Sequence, residues 1–564
     1  MTQTVLERST SYSKGADTPP LMDLCIGEIL GQAAAHYPNS PALILRQENL
    51  RFNWAELQAE VERTARGLMA LGFAKGDRVG IWATNVSQWV LMQFATAKAG
   101  VVLVNLNLGF RAHELEFVLK QSGCKGLVMQ HRFRDCDYVE TIRHLAPELD
   151  TCLPGQLHAA RVPNLRQVVY IGKNPPPDGM LSWSKMLVQA DRISHADLRV
   201  RERSLSPRDT VNIQYTSGTT GTPKGAELSH YNVANNGRFI GDSMKLTERD
   251  KVCIPVPFYH CFGMVLGNMA CLTHASAMVI PADYFDALAT MQTVHDERCT
   301  ALYGVPTMFI AEFSHPRFKE FDFTSLRTGI MAGSLCPIEL MRRVIREMHC
   351  TELTICYGLT EASPVITQTT TEDTLERKTT TVGRALPHTE VKIIDPNTGK
   401  EVPLGENGEL CTRGYLVMNG YHNDPENTRA TIEPDGWLHS GDIASMDEHG
   451  YVVITGRLKE MIIRGGENIY PREIEEYLYS CPGVKDVQVI GIPSEKYGEE
   501  VMAWIIPHEG VTLDAETVQA FCRNQISRFK IPKFIKFVES FPTTVTGKVQ
   551  KFVMRHMAIE EMGL

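Results

Sequence analysis

The run Tyr215-Thr-Ser-Gly-Thr-Thr-Gly-Thr-Pro-Lys-Gly225 packs hydroxyls, glycines and one cation into a single short segment. Thr216, Ser217, Thr219, Thr220 and Thr222 offer side-chain donors, and Gly218 and Gly221 let a ligand approach the backbone. Successive backbone N–H groups in such a run form a concavity that suits phosphate oxygens, and Lys224 after Pro223 adds a point charge. By composition alone the same run also reads as a polar surface loop. It is not a Walker-type phosphate loop, because Pro223 stands where the second glycine should be. A kinase or GTPase of that type is therefore disfavoured.

Elements that could carry this run are readable around it. Asn53-Trp-Ala-Glu56 has the form of a capping box, with Leu57, Val61, Leu68 and Met69 as an apolar stripe and Gly72 beyond the end. A short apolar strand at 78–83, a helix at 87–99 and a strand at 101–104 follow, and this alternation predicts βαβ units and a parallel sheet to about residue 370. From 391 to 453, short β-prone runs alternate with turns such as Asp395-Pro-Asn-Thr-Gly399 and Gly405-Glu-Asn-Gly408, which predicts antiparallel β. Short strands near 487–490 and 501–506 and a helix over 515–526 predict a compact α+β end.

The chain has 564 residues, 43% apolar and 22% charged, enough for two to four structural units. Its net charge of −9 provides no positive field for nucleic acid or anionic lipid. The 14 cysteines are scattered without Cys-x-x-Cys pairs, which predicts buried thiols in a reducing compartment. The first twenty residues hold no apolar run of the secretory kind, and the terminal Glu-Met-Gly-Leu is no lipid or peroxisomal address. The most hydrophobic stretch, 89–106, is broken by Lys98 and Gly100 and predicts no transmembrane segment. The expected setting is cytoplasmic.

Further motifs follow in order along the chain: Pro255-Val-Pro-Phe-Tyr-His260, Tyr357-Gly-Leu-Thr-Glu361, Gly436-Trp-Leu-His-Ser-Gly-Asp442, Gly456-Arg-Leu-Lys-Glu460 and Pro542-Thr-Thr-Val-Thr-Gly-Lys548. Each alone is weak. Glu361 alone reads as a charge at a helix start, Asp442 as a turn residue, His260 as a packed ring and Lys548 as a solvated lysine. Together with the 215–225 run, they make the chain resemble the superfamily of acyl-CoA synthetases, nonribosomal adenylation domains and luciferases, from about residue 25 to the C-terminus.

That resemblance implies a large AMP-binding domain at 1–456, made of parallel α/β sheets to about 390 and a small β-barrel at 391–456. It implies a hinge at 457–462 around Lys459 and a mobile α+β domain at 463–564. It also implies ATP and coenzyme A as cosubstrates with Mg²⁺ as metal. Residues 216–224 would hold the β- and γ-phosphates. Tyr357 would stack on adenine beside Gly333 and Ser334, within an ATP site that includes Gly358 and Thr360. Glu361, with Thr216, would bind the metal, Asp442 would accept from both ribose hydroxyls, and Arg457 would contact ribose or phosphate. His260 resembles the aromatic gate beside the acyl group. Lys548 would bridge the acyl carboxylate and the α-phosphate, where two anions must meet. After rotation about Lys459, the segment Arg464-Gly465-Gly466 would border the pantetheine tunnel.

Within the family, no carboxylate follows Phe258 in Tyr-His-Cys-Phe-Gly-Met, and no carrier domain follows Lys548. Both argue against an amino-acid-activating module. Tyr303-Gly-Val-Pro-Thr-Met308 and Ser363-Pro-Val-Ile366 suggest an apolar acyl pocket. The closest look is to the medium-chain fatty acyl-CoA synthetases, with an aryl-acid CoA ligase as the alternative. A second alternative is a fatty acyl-AMP ligase loading a carrier protein, against which stands the absence of an insertion across 459–470. A homodimer is compatible with the resemblance.

Overall fold

The computed structural model describes residues 10–173, 175–216, 223–333, 336–465, 467–523, 525–543 and 549–564. The chain divides into two compact units, a larger one of 13–391 and 412–438 and a smaller one of 1–12, 392–411 and 439–564.

In the larger unit the capping box forms as the sequence predicts. Asn53 Oδ1 accepts from Glu56 N at 2.8 Å and Asn53 N donates to Glu56 Oε2 at 2.9 Å, opening the helix Trp54–Ala70. Leu57, Val61 and Leu68 are buried on its stripe. The apolar stretch 89–106 resolves into the helix Ser87–Ala99 and the strand Val102–Asn105, separated by Gly100 at φ +67°. Only glycine adopts that left-handed geometry without strain, so the helix stops there. No helix among the described residues is long and apolar enough to cross a membrane.

Two sheets form the frame of this unit. The first has eight strands in the order Leu181–Ser182, Gln167–Tyr170, Gly126–Met129, Arg78–Trp82, Val102–Asn105, Thr210–Thr216, Lys224–Ser229 and Gly420–Tyr421. The second has nine: Arg384–Ala385, Val365–Gln368, Glu352–Gly358, Thr328–Met331, Ala301–Gly304, Lys251–Cys253, Ala277–Ile280, Pro41–Leu45 and Leu50–Asn53. In the nine-stranded sheet the central pairs are parallel and the outer pairs antiparallel, whereas in the eight-stranded sheet every pair from Leu181–Ser182 to Thr210–Thr216 is parallel and the last two pairs are antiparallel. Helices cover these sheets, as parallel connections require.

The smaller unit holds residues 392–394, 408–411, 439–446 and 452–457 of the four strands Thr389–Ile394, Gly408–Gly414, Leu438–Met446 and Val452–Arg457, which lie side by side in that order. A separate sheet holds Ile462–Arg464, Glu467–Ile469, Val484–Ser494, Gly498–Pro507 and Phe534–Phe537. Its core gathers Val487, Val489, Val501, Ala503 and Ile505 with Cys481 and Cys522. All fourteen cysteines are free thiols, buried in every case but Cys152, which is partly exposed.

One buried group makes stability depend on pH. Glu312 on the helix Pro306–Ser314 is 1% exposed, and its Oε2 meets no hydrogen-bond partner among the described residues. Its helix neighbours Phe309 and Phe313 lie in an apolar cluster, and burial holds the carboxyl well above the usual carboxylate range. The protonated form is thus the one that folds, while the unfolded chain ionises near the ordinary value. Stability is full below that value and falls as pH rises above it, by at most about 1.4 kcal/mol per pH unit. Glu312→Gln removes the ionisation, so its thermal midpoint should gain on wild type steadily between about pH 5 and about pH 8. A difference that stays flat across that range would show a carboxyl that ionises in place.

Candidate active site

The strands flanking the glycine- and hydroxyl-rich run are antiparallel neighbours, with Thr216 opposite Lys224. A Walker loop instead leads from a strand into a helix, so the exclusion drawn from Pro223 agrees with the flanking backbone. Ser217, Gly218, Thr219, Thr220, Gly221 and Thr222 lie outside the described residues. Thr216 Oγ1 donates to Lys224 O at 3.4 Å, and Pro223 is half-buried. Lys224 Nζ donates to Asn427 Oδ1 at 2.6 Å and stands 5.2 Å from the centre of the Tyr421 ring. Asn427 is held in turn by Nδ2 donating to Asp424 Oδ2 at 2.7 Å.

Glu361 sits in the helical turn Thr360–Ala362, just beyond the strand Glu352–Gly358. Glycine is required at 358, because a Cβ there would lie 1.8 Å from the Pro364 carbonyl oxygen. The Glu361 carboxylate is 8% exposed, and its Oε1 accepts the Tyr421 hydroxyl at 2.8 Å. Burial first, and then the Glu361 charge, raise the Tyr421 phenol far above its ordinary range, so it stays a donor. Tyr421 therefore touches both Glu361, through its hydroxyl, and Lys224, through its ring face.

Gly333 follows the strand Thr328–Met331, and Tyr357 lies near the end of the adjacent parallel strand Glu352–Gly358, with Met331 paired to Ile355. Both lie at the carboxyl ends of these strands, where open α/β sheets bind ligands. Gly333 has φ +90°, and a Cβ there would stand 3.1 Å from Val305 Cγ1. Ser334 lies outside the described residues. His260 is exposed, and its Nδ1 accepts from Phe262 N at 3.3 Å. Behind it, Phe262–Met269 forms a buried π-helical stretch, an uncommon winding that clusters at functional sites. The adjoining Cys261 thiol donates to Gln214 Oε1 at 2.9 Å, and burial pushes it up to about 12, which makes it inert.

In the smaller unit, Asp442 and Arg457 face each other on paired strands, with Arg457 Nε 3.1 Å from Asp442 Oδ1. Asp442 is 6% exposed. Lys459 is exposed in the helical turn Leu458–Glu460. Arg464 forks onto the buried Glu500 carboxylate, with Nη2 to Oε2 at 3.2 Å, and lies 4.1 Å from the Tyr497 ring centre. That carboxylate hydrogen bond raises the Arg464 guanidinium further above its usual value. Gly465 has φ +63° and its N–H donates to Tyr497 O at 2.8 Å. Gly466 and Lys548 lie outside the described residues.

Sequence reasoning passed over Tyr421 and Asn427. Their partners Glu361 and Lys224 lie 60 and 203 residues away, beyond any local period. The cue was compositional: Tyr421-His-Asn-Asp-Pro-Glu-Asn427 places polar groups on a turn and a short helix.

Comparison with known proteins meets this geometry. The AMP-binding enzyme model matches residues 30–422, and the AMP-binding enzyme C-terminal domain matches residues 473–548. The chain belongs to the AMP-binding enzyme family, in its acyl-CoA synthetase branch. YngI of Bacillus subtilis (strain 168), which bears an acyl-CoA synthetase name, is 50% identical over 96% of this chain and 99% of its own. The mitochondrial medium-chain acyl-CoA ligase ACSF2 of Rattus norvegicus is 43% identical over 98% of this chain and 91% of its own. Among solved structures, ATP-bound MatB of Rhodopseudomonas palustris superposes with a TM-score of 0.79 at 28% identity, over 96% of this chain and 100% of that one.

Proposed function

We propose that this acyl-CoA synthetase takes a medium-chain fatty acid as its acid and coenzyme A as its acceptor. The reaction class is that of the branch: ATP-dependent ligation through an acyl-AMP, with release of pyrophosphate and AMP. The carrying observation is the joining of Lys224 and Glu361 through Tyr421, beside antiparallel strands that flank a glycine- and hydroxyl-rich run. A lysine and a carboxylate held in one cluster support their reading as a phosphate-binding cation and an oxygen ligand for a dication.

The chemistry proceeds in two displacements. A carboxylate oxygen of the acid attacks the α-phosphorus of ATP and pyrophosphate leaves. The thiolate of coenzyme A then attacks the acyl carbon and AMP leaves. In this reading, residues 216–224 hold the β- and γ-phosphates, and Gly333, Ser334, Tyr357, Gly358 and Thr360 line the adenine slot. Asp442 accepts from the ribose hydroxyls, Arg457 contacts ribose or phosphate, and His260 flanks the acyl group. Lys548 aligns the two anions and offsets charge that develops as they meet.

A hard dication fits Glu361, a carboxylate with one oxygen engaged by Tyr421 and a second oxygen to give. Glu361 and Thr216 would hold Mg²⁺, which supplies neutralising charge at the phosphates. Gly465 and Gly466 border the pantetheine path. Arg464, spread over Glu500, serves first to fix the strand that it closes.

The medium-chain reading is supported by the ACSF2 likeness and by the apolar residues at 303–308 and 363–366. Each buried methylene contributes about 0.8 kcal/mol, about fourfold in kcat/KM, until the pocket ends. Assays from acetate to palmitate and with benzoate, with coenzyme A as acceptor, should therefore peak near octanoate. A peak at benzoate would overturn the aliphatic assignment. Acyl-AMP that accumulates without thioester would point to an acyl-AMP ligase.

A further inference from the structure

Asp442 lies on the strand Leu438–Met446, and the stretch leading to it is fixed from a neighbouring strand. Gly441 lies at φ +69°, a left-handed conformation that leaves this backbone free to wander unless something outside it holds the N–H. Glu409 on the strand Gly408–Gly414 does so. The Gly441 N–H donates to Glu409 Oε1 at 3.0 Å, and His439 Nδ1 lies 2.9 Å from Glu409 Oε2. Ser440 Oγ donates to Leu410 O at 2.6 Å, and the Asp442 N–H donates to Ser440 Oγ at 3.1 Å. Glu409 is 6% exposed, a carboxylate withdrawn from water whose two oxygens each hold one donor of the same strand. An ionised acceptor makes these bonds stronger than neutral ones and fixes His439 as the Nδ1–H tautomer.

We propose that Glu409 is a positioning residue for nucleotide binding, holding Gly441 and His439 so that Asp442 meets the ribose hydroxyls of ATP. The proposal rests on the reading of Asp442 given above. It adds a residue that touches no substrate. A glycine at 441 allows the left-handed residue within the strand, and a buried carboxylate at 409 selects the one conformer that aims Asp442.

A second reading of the same atoms is open to test. Glu409, Cys411 and His439 place one ligand atom each within 4.8 Å of one another, with Cys411 Sγ 3.6 Å from His439 Nδ1. A divalent metal could use that trio only if it took Glu409 Oε2 and His439 Nδ1 out of their mutual bond.

The experiment compares ATP with 3′-deoxy-ATP in the adenylation half-reaction. In Glu409→Gln the amide can accept from only one of the two donors and points its own NH₂ at the other. The KM for ATP should rise about tenfold with kcat changed little, and the KM for 3′-deoxy-ATP should barely move. Asp442→Asn should erase the preference for ATP by itself, and adding Glu409→Gln to it should cost no further preference. His439→Asn, which keeps an N–H for Glu409, should stay close to wild type. If Asp442→Asn keeps the preference, the ribose reading of Asp442 falls. If Asp442→Asn loses it while Glu409→Gln keeps it, the positioning role falls and the ribose reading stands. One equivalent of zinc in the purified wild type that is lost in Glu409→Gln would also overturn the proposal in favour of a metal centre. Should Glu409→Gln fold poorly, His439→Leu, which removes only one of the two donors, should still narrow the preference several-fold; an unchanged preference there would count against the role.

Discussion

Lys548→Ala should nearly abolish acyl-AMP formation while leaving thioester formation from supplied acyl-AMP within a few-fold of wild type. The first step brings a carboxylate against a phosphate. A cation placed between them aligns both and stabilises the charge of the transition state, at about 3–4 kcal/mol, or about 10²–10³ in rate. The lysine lies outside the described residues, and the residues on either side of that segment pair with each other. Thr543 bridges Val549 in antiparallel fashion, and Gln550 N donates to Pro542 O at 2.8 Å. The helix Lys551–Met562 follows, and its first residue is pinned by Lys551 Nζ to Glu475 at 2.6 Å and to Glu460 at 3.6 Å. Exchange of labelled pyrophosphate into ATP reports the first step, and coenzyme A thioester from added acyl-AMP reports the second. Equal losses in both would remove the division of labour between two conformations.

Lys459→Pro should separate the half-reactions the other way, leaving adenylation within about threefold and lowering transfer by on the order of 10². Lys459 lies in the turn Leu458–Glu460, across which Met461 N donates to Arg457 O at 3.0 Å. A 3₁₀ turn holds φ near the value that proline imposes, so the ring fits this conformer and blocks the torsion a hinge must change. Restriction of Leu458 ahead of the ring adds a small cost common to both steps. A proline variant that loses both steps alike, or that turns over normally, would exclude 459 as the pivot.

How much of this could be read from the sequence differs from element to element. Asn53 and Glu56 announce their helix because a capping box is a contract between residues three apart. Gly100 divides helix from strand for an equally local reason. The C-terminal strands are harder. The apolar run at 487–490 grows into the strand Val484–Ser494, since the partner Gly498–Pro507 pairs backbone whatever side chains Lys485 and Asp486 carry. The helix expected over 515–526 ends at Cys522. At the site, motif order marked the residues resembling the family, while the contacts that hold them escaped. Glu361 finds Tyr421, and Lys224 finds Asn427, only once separate segments are brought onto one sheet edge. Glu409 reads as one more charge after the Gly405–Gly408 turn, because burial of a strand carboxylate is decided by the neighbouring strand.

The buried thiols make the chain its own probe of opening. Alkylating reagents need an exposed thiolate, and burial raises Cys271 and Cys356 far above the usual thiol range and Cys522 to about 11. Labelling at these positions therefore waits for the surrounding structure to part, and its rate measures how often it does. Cys253, Cys271, Cys299 and Cys356 belong to the larger unit, Cys411, Cys481 and Cys522 to the smaller. Mass-resolved alkylation of the unmodified enzyme would thus record two opening free energies in one tube. A nucleotide held by only one unit would slow only that unit's cysteines.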